Sequence, residues 1–194
     1  MLRYAFLLLV FLHGIKAAAA PLGGNFNIRD YGAKGDSATL DTDAINRTIA
    51  AAAKAGGGTV YFPAGTYRSF SIRLQSRISL YLDQGATLLA ATPVGDIGYD
   101  APEPGAGNSF QDFGHSHWHN SLIWGENLTD VSILGPGTIY GHGLTREGPH
   151  RAPVGNKAIA LKLCRNVMLK DFTVLFGGIL LCWLLASTTS PSII

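Results

Sequence analysis

His115-Ser-His117-Trp-His119 places three imidazoles and an indole at alternating positions. On an extended strand, residues at i, i+2 and i+4 share a face, so the three histidines can converge on zinc while Trp118 points the other way. No carboxylate or further ligand stands nearby to complete such a site, and no metal or other cofactor is assigned. Recognition of a sugar fits these residue types better: the indole offers a stacking face and the imidazoles offer hydrogen bonds. His115, His117, Trp118 and His119 are therefore the expected substrate-binding residues, with plain packing as the alternative.

Paired carboxylates would support hydrolysis of a glycosidic bond, one protonating the leaving oxygen and the other activating water. Asp41 and Asp43 are close in sequence, as are Asp96, Asp100 and Glu103. The first pair is better explained by capping a helix, and the second group lies among prolines and glycines with no strand to hold it. His142, between Gly141 and Gly143, reads as a turn residue with no partner to tune it. No catalytic residue is assigned. The two cysteines, Cys164 and Cys182, make no disulfide framework and lack metal-site spacing.

The elements that must position these residues are mostly strands. Ile45, Ile49, Ala52 and Ala53 repeat at helical spacing after Asp41 and Thr42, and Gly56 to Gly58 end a helix of about three to four turns. Beyond them the period falls to two: Val60 and Phe62, then Phe70, Ile72 and Leu74, then Ile78, Leu80 and Leu82 alternate with outward residues. Asp130-Val-Ser-Ile-Leu134 returns as Asp171-Phe-Thr-Val-Leu175, and the offset suits two coils of a β-solenoid of about 20 residues each. A β-sandwich is the competing architecture. The helix, placed before the strands, suits a plug for the open end of a solenoid core. Residues 92–120, rich in proline and glycine, read as a long excursion from the stack.

Arg3, the apolar stretch Tyr4 to Leu12 and the small residues Ala17 to Ala20 have the order of a secretory signal peptide, 1–19, cleaved after Ala19. The chain is then expected to be secreted or periplasmic, with no membrane attachment after cleavage. A formal charge of +2 with no basic stripe argues against nucleic acid as a partner. Asn46-Arg47-Thr48 and Asn127-Leu128-Thr129 fit the glycosylation sequon.

Three segments together carry a family likeness. Asn27-Ile-Arg-Asp-Tyr-Gly-Ala-Lys-Gly-Asp36, the helix start Asp41-Thr-Asp-Ala-Ile45 and Gly56-Gly-Gly-Thr-Val-Tyr-Phe-Pro-Ala-Gly-Thr-Tyr67 resemble the opening module of the pectin-degrading β-helix enzymes. Asn120-Ser-Leu-Ile-Trp-Gly-Glu-Asn-Leu-Thr-Asp-Val-Ser-Ile-Leu-Gly-Pro-Gly-Thr-Ile139 is similar to glycoside hydrolase family 28, the polygalacturonases. Position 37 is Ser where the family usually has Gly. The resemblance implies an all-β, right-handed parallel β-helix with an N-terminal capping α-helix over residues 20–178. It also implies a galacturonan or related plant cell-wall polysaccharide as partner, and inverting hydrolysis without a cofactor.

The family carries catalysis on aspartates in Asn-x-Asp and Asp-Asp motifs, followed by Gly-His-Gly and Arg-x-Lys on neighbouring coils. None of the aspartate motifs and no Arg-x-Lys occurs in these 194 residues, and Gly141-His142-Gly143 lies on an earlier coil than the family's histidine. The expectation is a truncated, N-terminal portion that is inactive alone. A non-catalytic carbohydrate-binding module and a pectate-lyase-like protein are the alternatives. Residues 179–194 depart from the family pattern. One choice of synonymous codons for Leu184 to Ile193, read from the third base, gives Thr-Gly-Val-Asp-Asn-Leu-Thr-Ile-Asp, so a reading-frame slip near Gly178 is expected. The gene's nucleotide sequence tests it.

Overall fold

The computed structural model describes residues 23–103, 117–145, 153–178 and 180–186, the last as backbone. The chain opens with β1 (Gly24–Asn27), a 3-10 turn (Ile28–Tyr31), β2 (Asp36–Leu40) and α1 (Thr42–Lys54). Four coils of strands follow. They are β3 (Gly58–Phe62), β4 (Gly65–Ser69) and β5 (Ile72–Arg73); then β6 (Ile78–Leu82), β7 (Ala86–Ala90) and β8 (Ser121–Glu126). The third comprises β9 (Thr129–Leu134), β10 (Thr138–Tyr140) and the first half of β11 (Lys157–Lys170); the fourth comprises the rest of β11, β12 (Thr173–Leu175) and β13 (Leu180–Ala186).

Each coil contributes one strand to each of three sheets. Sheet A runs β1-β3-β6-β9-β11, sheet B runs β2-β4-β7-β10-β12, and sheet C runs β5-β8-β11-β13. Every pairing between these strands is parallel, which excludes the antiparallel sandwich. The chain is a right-handed parallel β-helix.

Period-two alternation sends every second residue inward, and parallel register stacks those residues coil upon coil. Val60, Leu80 and Ile133 form one such ladder, Tyr67, Leu88 and Ile139 a second, and Ile72, Ile123 and Ile159 a third. All nine side chains are buried. One outward row is polar: Thr66, Thr87, Thr138 and Thr173 face one another across sheet B.

The helix closes the first coil as expected. Ala44, Ile45, Thr48, Ile49 and Ala52 are its buried face, and Gly56 and Gly57, both at positive φ, turn the chain into β3. Asn46 completes the cap: its Nδ2 donates to Ser71 O (2.9 Å) and its Oδ1 accepts from Arg73 N (2.9 Å), satisfying the edge of β5 that no earlier strand covers. Asp41 occupies the N-cap position but does not cap with its side chain. Its buried carboxylate instead accepts from Lys34 N (2.7 Å) and Gly35 N (3.1 Å), pinning the preceding loop.

The near-repeat between Asp130-Leu134 and Asp171-Leu175 is not the coil repeat. The first segment lies in sheet A, whereas the second runs from the following corner into sheet B. The true neighbours of Val131 and Ile133 are Val167 and Leu169. Just before those pairs Asp130 faces Asn166, whose Nδ2 donates to Asp130 Oδ1 at 2.6 Å. Intervening loops lengthen the coils, so equal sequence spacing does not mean equal position.

The described parts of the segments joining β7 to β8 and β10 to β11 (91–103 with 117–120, and 141–145 with 153–156) lean on each other. Tyr99 N donates to Pro153 O, Tyr99 OH donates to Ala91 O, and its ring packs edge-on against Phe70. Its burial pushes the phenol pKa up. The apolar tail takes a sheet position: Leu180 lies opposite Lys157 and Cys182 opposite Ile159. Residues 1–22 and 187–194, holding the expected signal peptide and the chain end, lie outside the described residues.

Candidate glycan-binding face

The outward row of sheet C brings together residues far apart in sequence. Trp124 and Glu126 stand two apart on β8 and so project from the same face. Parallel register puts Arg73 and Ala160 on either side of Trp124, and Lys162 beside Glu126. Ala160, small and itself buried, is the neighbour of the indole on the β11 side. Side chains from the described residues between β7 and β8 reach this row.

Asp100, from that segment, accepts from Arg73 Nε (2.8 Å) and Trp124 Nε1 (2.9 Å) on one oxygen and from Arg73 Nη2 on the other. The indole is thereby fixed by its edge. The His119 imidazole stacks on its face, with ring centroids 4.0 Å apart and planes at 27°. Its Nε2 lies 3.3 Å from Glu126 Oε2. Lys162 Nζ reaches Glu126 Oε1 at 2.9 Å and sits 4.1 Å above the Trp118 ring. Lys162 first, then His119, hold the Glu126 carboxyl below the usual carboxylate range against the opposing effect of burial.

Glu103 anchors the approach to β8: its carboxylate accepts from Trp118 N at 2.9 and 3.1 Å and from His119 N at 3.2 Å. The loop carboxylates are therefore held, by β5, β8 and the backbone before β8. Both act as clamps.

The four residues singled out from sequence do not share one face. Residues 117–120 form a bend before β8 rather than a strand, so the i, i+2, i+4 geometry does not apply. His117 Nδ1 and Trp118 Nε1 are buried with no hydrogen-bond partner among the described residues, and Trp118 is covered. His119 alone reaches the open row. His115 lies outside the described residues. Among the described residues no group of three His, Cys, Asp or Glu side chains is placed to hold a metal.

Sequence reasoning missed Arg73, Asp100, Trp124, Glu126 and Lys162 as a set. The outward phase of SLIWGE was the available signal, since it places Trp124 and Glu126 together. Their cross-strand neighbours depended on loop lengths that periodicity does not report. His142, in contrast, sits in a turn as expected, stacked on Tyr140. A side chain at Gly141 would strike Phe176 O, and one at Gly143 would strike Ala90 O, so close backbone approach accounts for both glycines.

The arrangement can bind but is poorly suited to proton transfer. Glu126 is held ionised by Lys162, and both Asp100 oxygens are engaged by Arg73 and Trp124. What the row presents is a half-buried aromatic stack flanked by Arg73 and Lys162, each paired with a carboxylate.

Comparison with known proteins follows the same lines. The family described as Rhamnogalacturonase A/epimerase, pectate lyase-like, matches residues 25–103. Alginate lyase 7 of Azotobacter vinelandii is 65% identical over 43 residues, 22% of this chain and 5% of that protein. The exo-poly-alpha-D-galacturonosidase of Dickeya chrysanthemi is 33% identical over 136 residues, 67% of this chain and 21% of that protein. The family 28 exopolygalacturonase of Yersinia enterocolitica superposes with a TM-score of 0.57 at 25% identity, over 77% of this chain and 34% of that one. The chain thus spans about a twentieth to a third of these relatives. The lyase likeness is short, whereas the polygalacturonase likeness runs through most of the coils. In sequence and fold the chain is polygalacturonase-like, similar through most of its coils to the parallel β-helix proteins of that group.

Proposed function

We propose that the chain serves a secreted, polygalacturonase-like glycoside hydrolase, and that the outer face of sheet C holds galacturonan or a related plant cell-wall polysaccharide. The observation that carries this reading is Trp124, locked by Asp100 and flanked on the same face by Arg73 and Lys162. A galacturonate residue presents an apolar ring face and a carboxylate. The ring matches the aromatic stack, and the carboxylate matches the cations. Arg73 supports this role because its side chain is 60% exposed while paired with Asp100, and a guanidinium has five donors.

Hydrolysis needs an acid and a base flanking the scissile bond. These 194 residues lack the family's aspartate motifs, and the described carboxylates on this face are committed to cations and backbone. The chain alone is therefore expected to bind without turnover. Export is supported by the order of Arg3, the apolar run to Leu12 and the alanines before Pro21.

The test uses polygalacturonate. No release of reducing ends above a protein-free blank is expected, together with saturable binding of hexagalacturonate. Turnover would overturn the statement about catalysis, and absence of binding would overturn the assignment of the face.

A further inference from the structure

Sheet A carries a second outward surface that the polygalacturonase reading does not use. Thr59, Ser79, Ser132 and Met168 lie in one register row across β3, β6, β9 and β11. The three hydroxyl side chains are half-buried, and none has a hydrogen-bond partner among the described residues. Parallel pairing spaces them about 4.8 Å apart along the solenoid axis. The same row lines a groove of about 410 Å³.

The wall of that groove is built at the corner between sheets C and A. Arg77, Asp130 and Asn166 occupy equivalent places on three successive coils, each at positive φ (62°, 58° and 53°). Register fixes the correspondence, since Ser79 faces Ser132 and Val131 faces Val167. Asn166 is bonded to Asp130, and Arg77 Nε is bonded to Gly56 O. One cation and one anion leave the wall electrically balanced. On the opposite side of the hydroxyl row stand Tyr61 and Tyr81, stacked with centroids 6.1 Å apart and planes at 19°. At the first-coil end Gly58 lets β1 approach closely; a Cβ there would meet Gly24 O at 2.4 Å.

We infer that this groove binds a neutral oligosaccharide lying along the solenoid axis. Hydroxyls that both donate and accept, repeated at the coil spacing, match the hydroxyls of successive sugar rings. The Tyr61–Tyr81 stack beside them adds apolar contact for the sugar rings. The balanced wall favours an uncharged chain, whereas the two cations of sheet C favour an acidic one. The two faces would then hold different parts of a mixed cell-wall polysaccharide. This assignment stands apart from the sheet C reading, because no residue is shared.

The experiment titrates the full chain, labelled with nitrogen-15, with a neutral galactohexaose and separately with hexagalacturonate, following backbone amide signals. Galactohexaose is expected to shift Ser79 and Ser132. Ser132→Trp, which fills the groove from an outward strand position, is expected to weaken that binding about tenfold or more. Trp124→Ala is expected to leave it unchanged. Thr59→Phe repeats the block from a different strand, so a folding defect in one variant does not decide the outcome. Absence of shifts in sheet A, binding insensitive to both blocks, or preference of this groove for hexagalacturonate would each overturn the inference. Loss of hexagalacturonate binding at sheet C alone would speak against the proposed function and leave this groove in place.

Discussion

His119 lies flat on Trp124, 4.0 Å between ring centroids, while Glu126 stands within 3.3 Å of the imidazole Nε2. The stack joins a bend residue to a strand residue and so links the excursion to sheet C. It also means that a sugar seated on Trp124 must share the indole with His119 or displace it.

Replacing Trp124 by Ala removes the stacking face and the donor to Asp100, yet leaves the Arg73–Asp100 pair intact. Affinity for hexagalacturonate should fall about tenfold, the scale of one aromatic–sugar contact, while the coil fold persists because the residue points outward. Calorimetric titration alongside far-ultraviolet circular dichroism reads both quantities. Unchanged affinity in a folded variant would remove Trp124 from the site.

Glu126 provides a pH prediction with a defined sign. Its folded pKa lies below its unfolded value because Lys162 and His119 favour the carboxylate. The stabilisation is complete above the unfolded carboxylate pKa of about 4.3 and disappears as pH falls through the folded value. At 27% side-chain exposure solvent screens the pair, so the contribution is about 0.5 kcal/mol. Urea unfolding at neutral pH and at about pH 3 should show Glu126→Gln less stable than the parent at neutrality, with the deficit smaller at the acid end. An equal deficit at both values would mean that Glu126 acts by packing.

The inward ladders were legible because burial demands strict alternation, and Val60, Phe62, Ile72, Ile78, Leu80 and Leu82 are all inside as that rule requires. The capping helix was legible from its apolar spacing and terminal glycines. Coil register was not, because the excursions insert unequal lengths between equivalent strands, and a match such as Asp130 with Asp171 then pairs a sheet position with a corner. The binding face was only half legible for the same reason. Trp124 and Glu126 share a strand, but Arg73, Asp100 and Lys162 join them through register and loop folding. Asp41 shows a further limit: its type and place suit an N-cap, yet two backbone donors at Lys34 and Gly35 hold its carboxylate.

Backbone conformation yields a pair of opposite effects. Ser37, where the resembling family usually carries Gly, sits at φ 64°, held there by a turn in which Asp36 accepts from Ala38 N and Thr39 N. Ser37→Gly relieves about 1–2 kcal/mol of left-handed strain and loses about 0.5–1 kcal/mol in unfolded-state entropy, so a net gain of about 0.5 kcal/mol is expected. Gly135→Ala should be costly, about 3 kcal/mol, because φ is 101° and the new Cβ would lie 2.3 Å from Leu82 O. Gly95→Ala is the control. It has a φ of 59° and nothing within 4 Å, so only about 1 kcal/mol of strain applies. Chemical unfolding of the three variants checks the order, and Gly135→Ala matching Gly95→Ala would show that the turn after β9 yields without penalty.

The two glycosylation sequons should behave differently in a eukaryotic host. Asn127 is exposed at a corner, with φ at 56°, where an attached glycan projects into solvent. Asn46 lies within α1, half-buried, with its amide donating to Ser71 O and accepting from Arg73 N. A sugar on its Nδ2 would be pressed against β5 and would open the edge that the helix closes. Folded, secreted material should therefore carry glycan at Asn127 and none at Asn46, and Asn46→Ala should destabilise the cap by about 1–3 kcal/mol because Ser71 O and Arg73 N lose their partners. Peptide mass spectrometry of protease-resistant protein reads the occupancy. Glycan at Asn46 in that fraction would contradict the docking of α1 against β5.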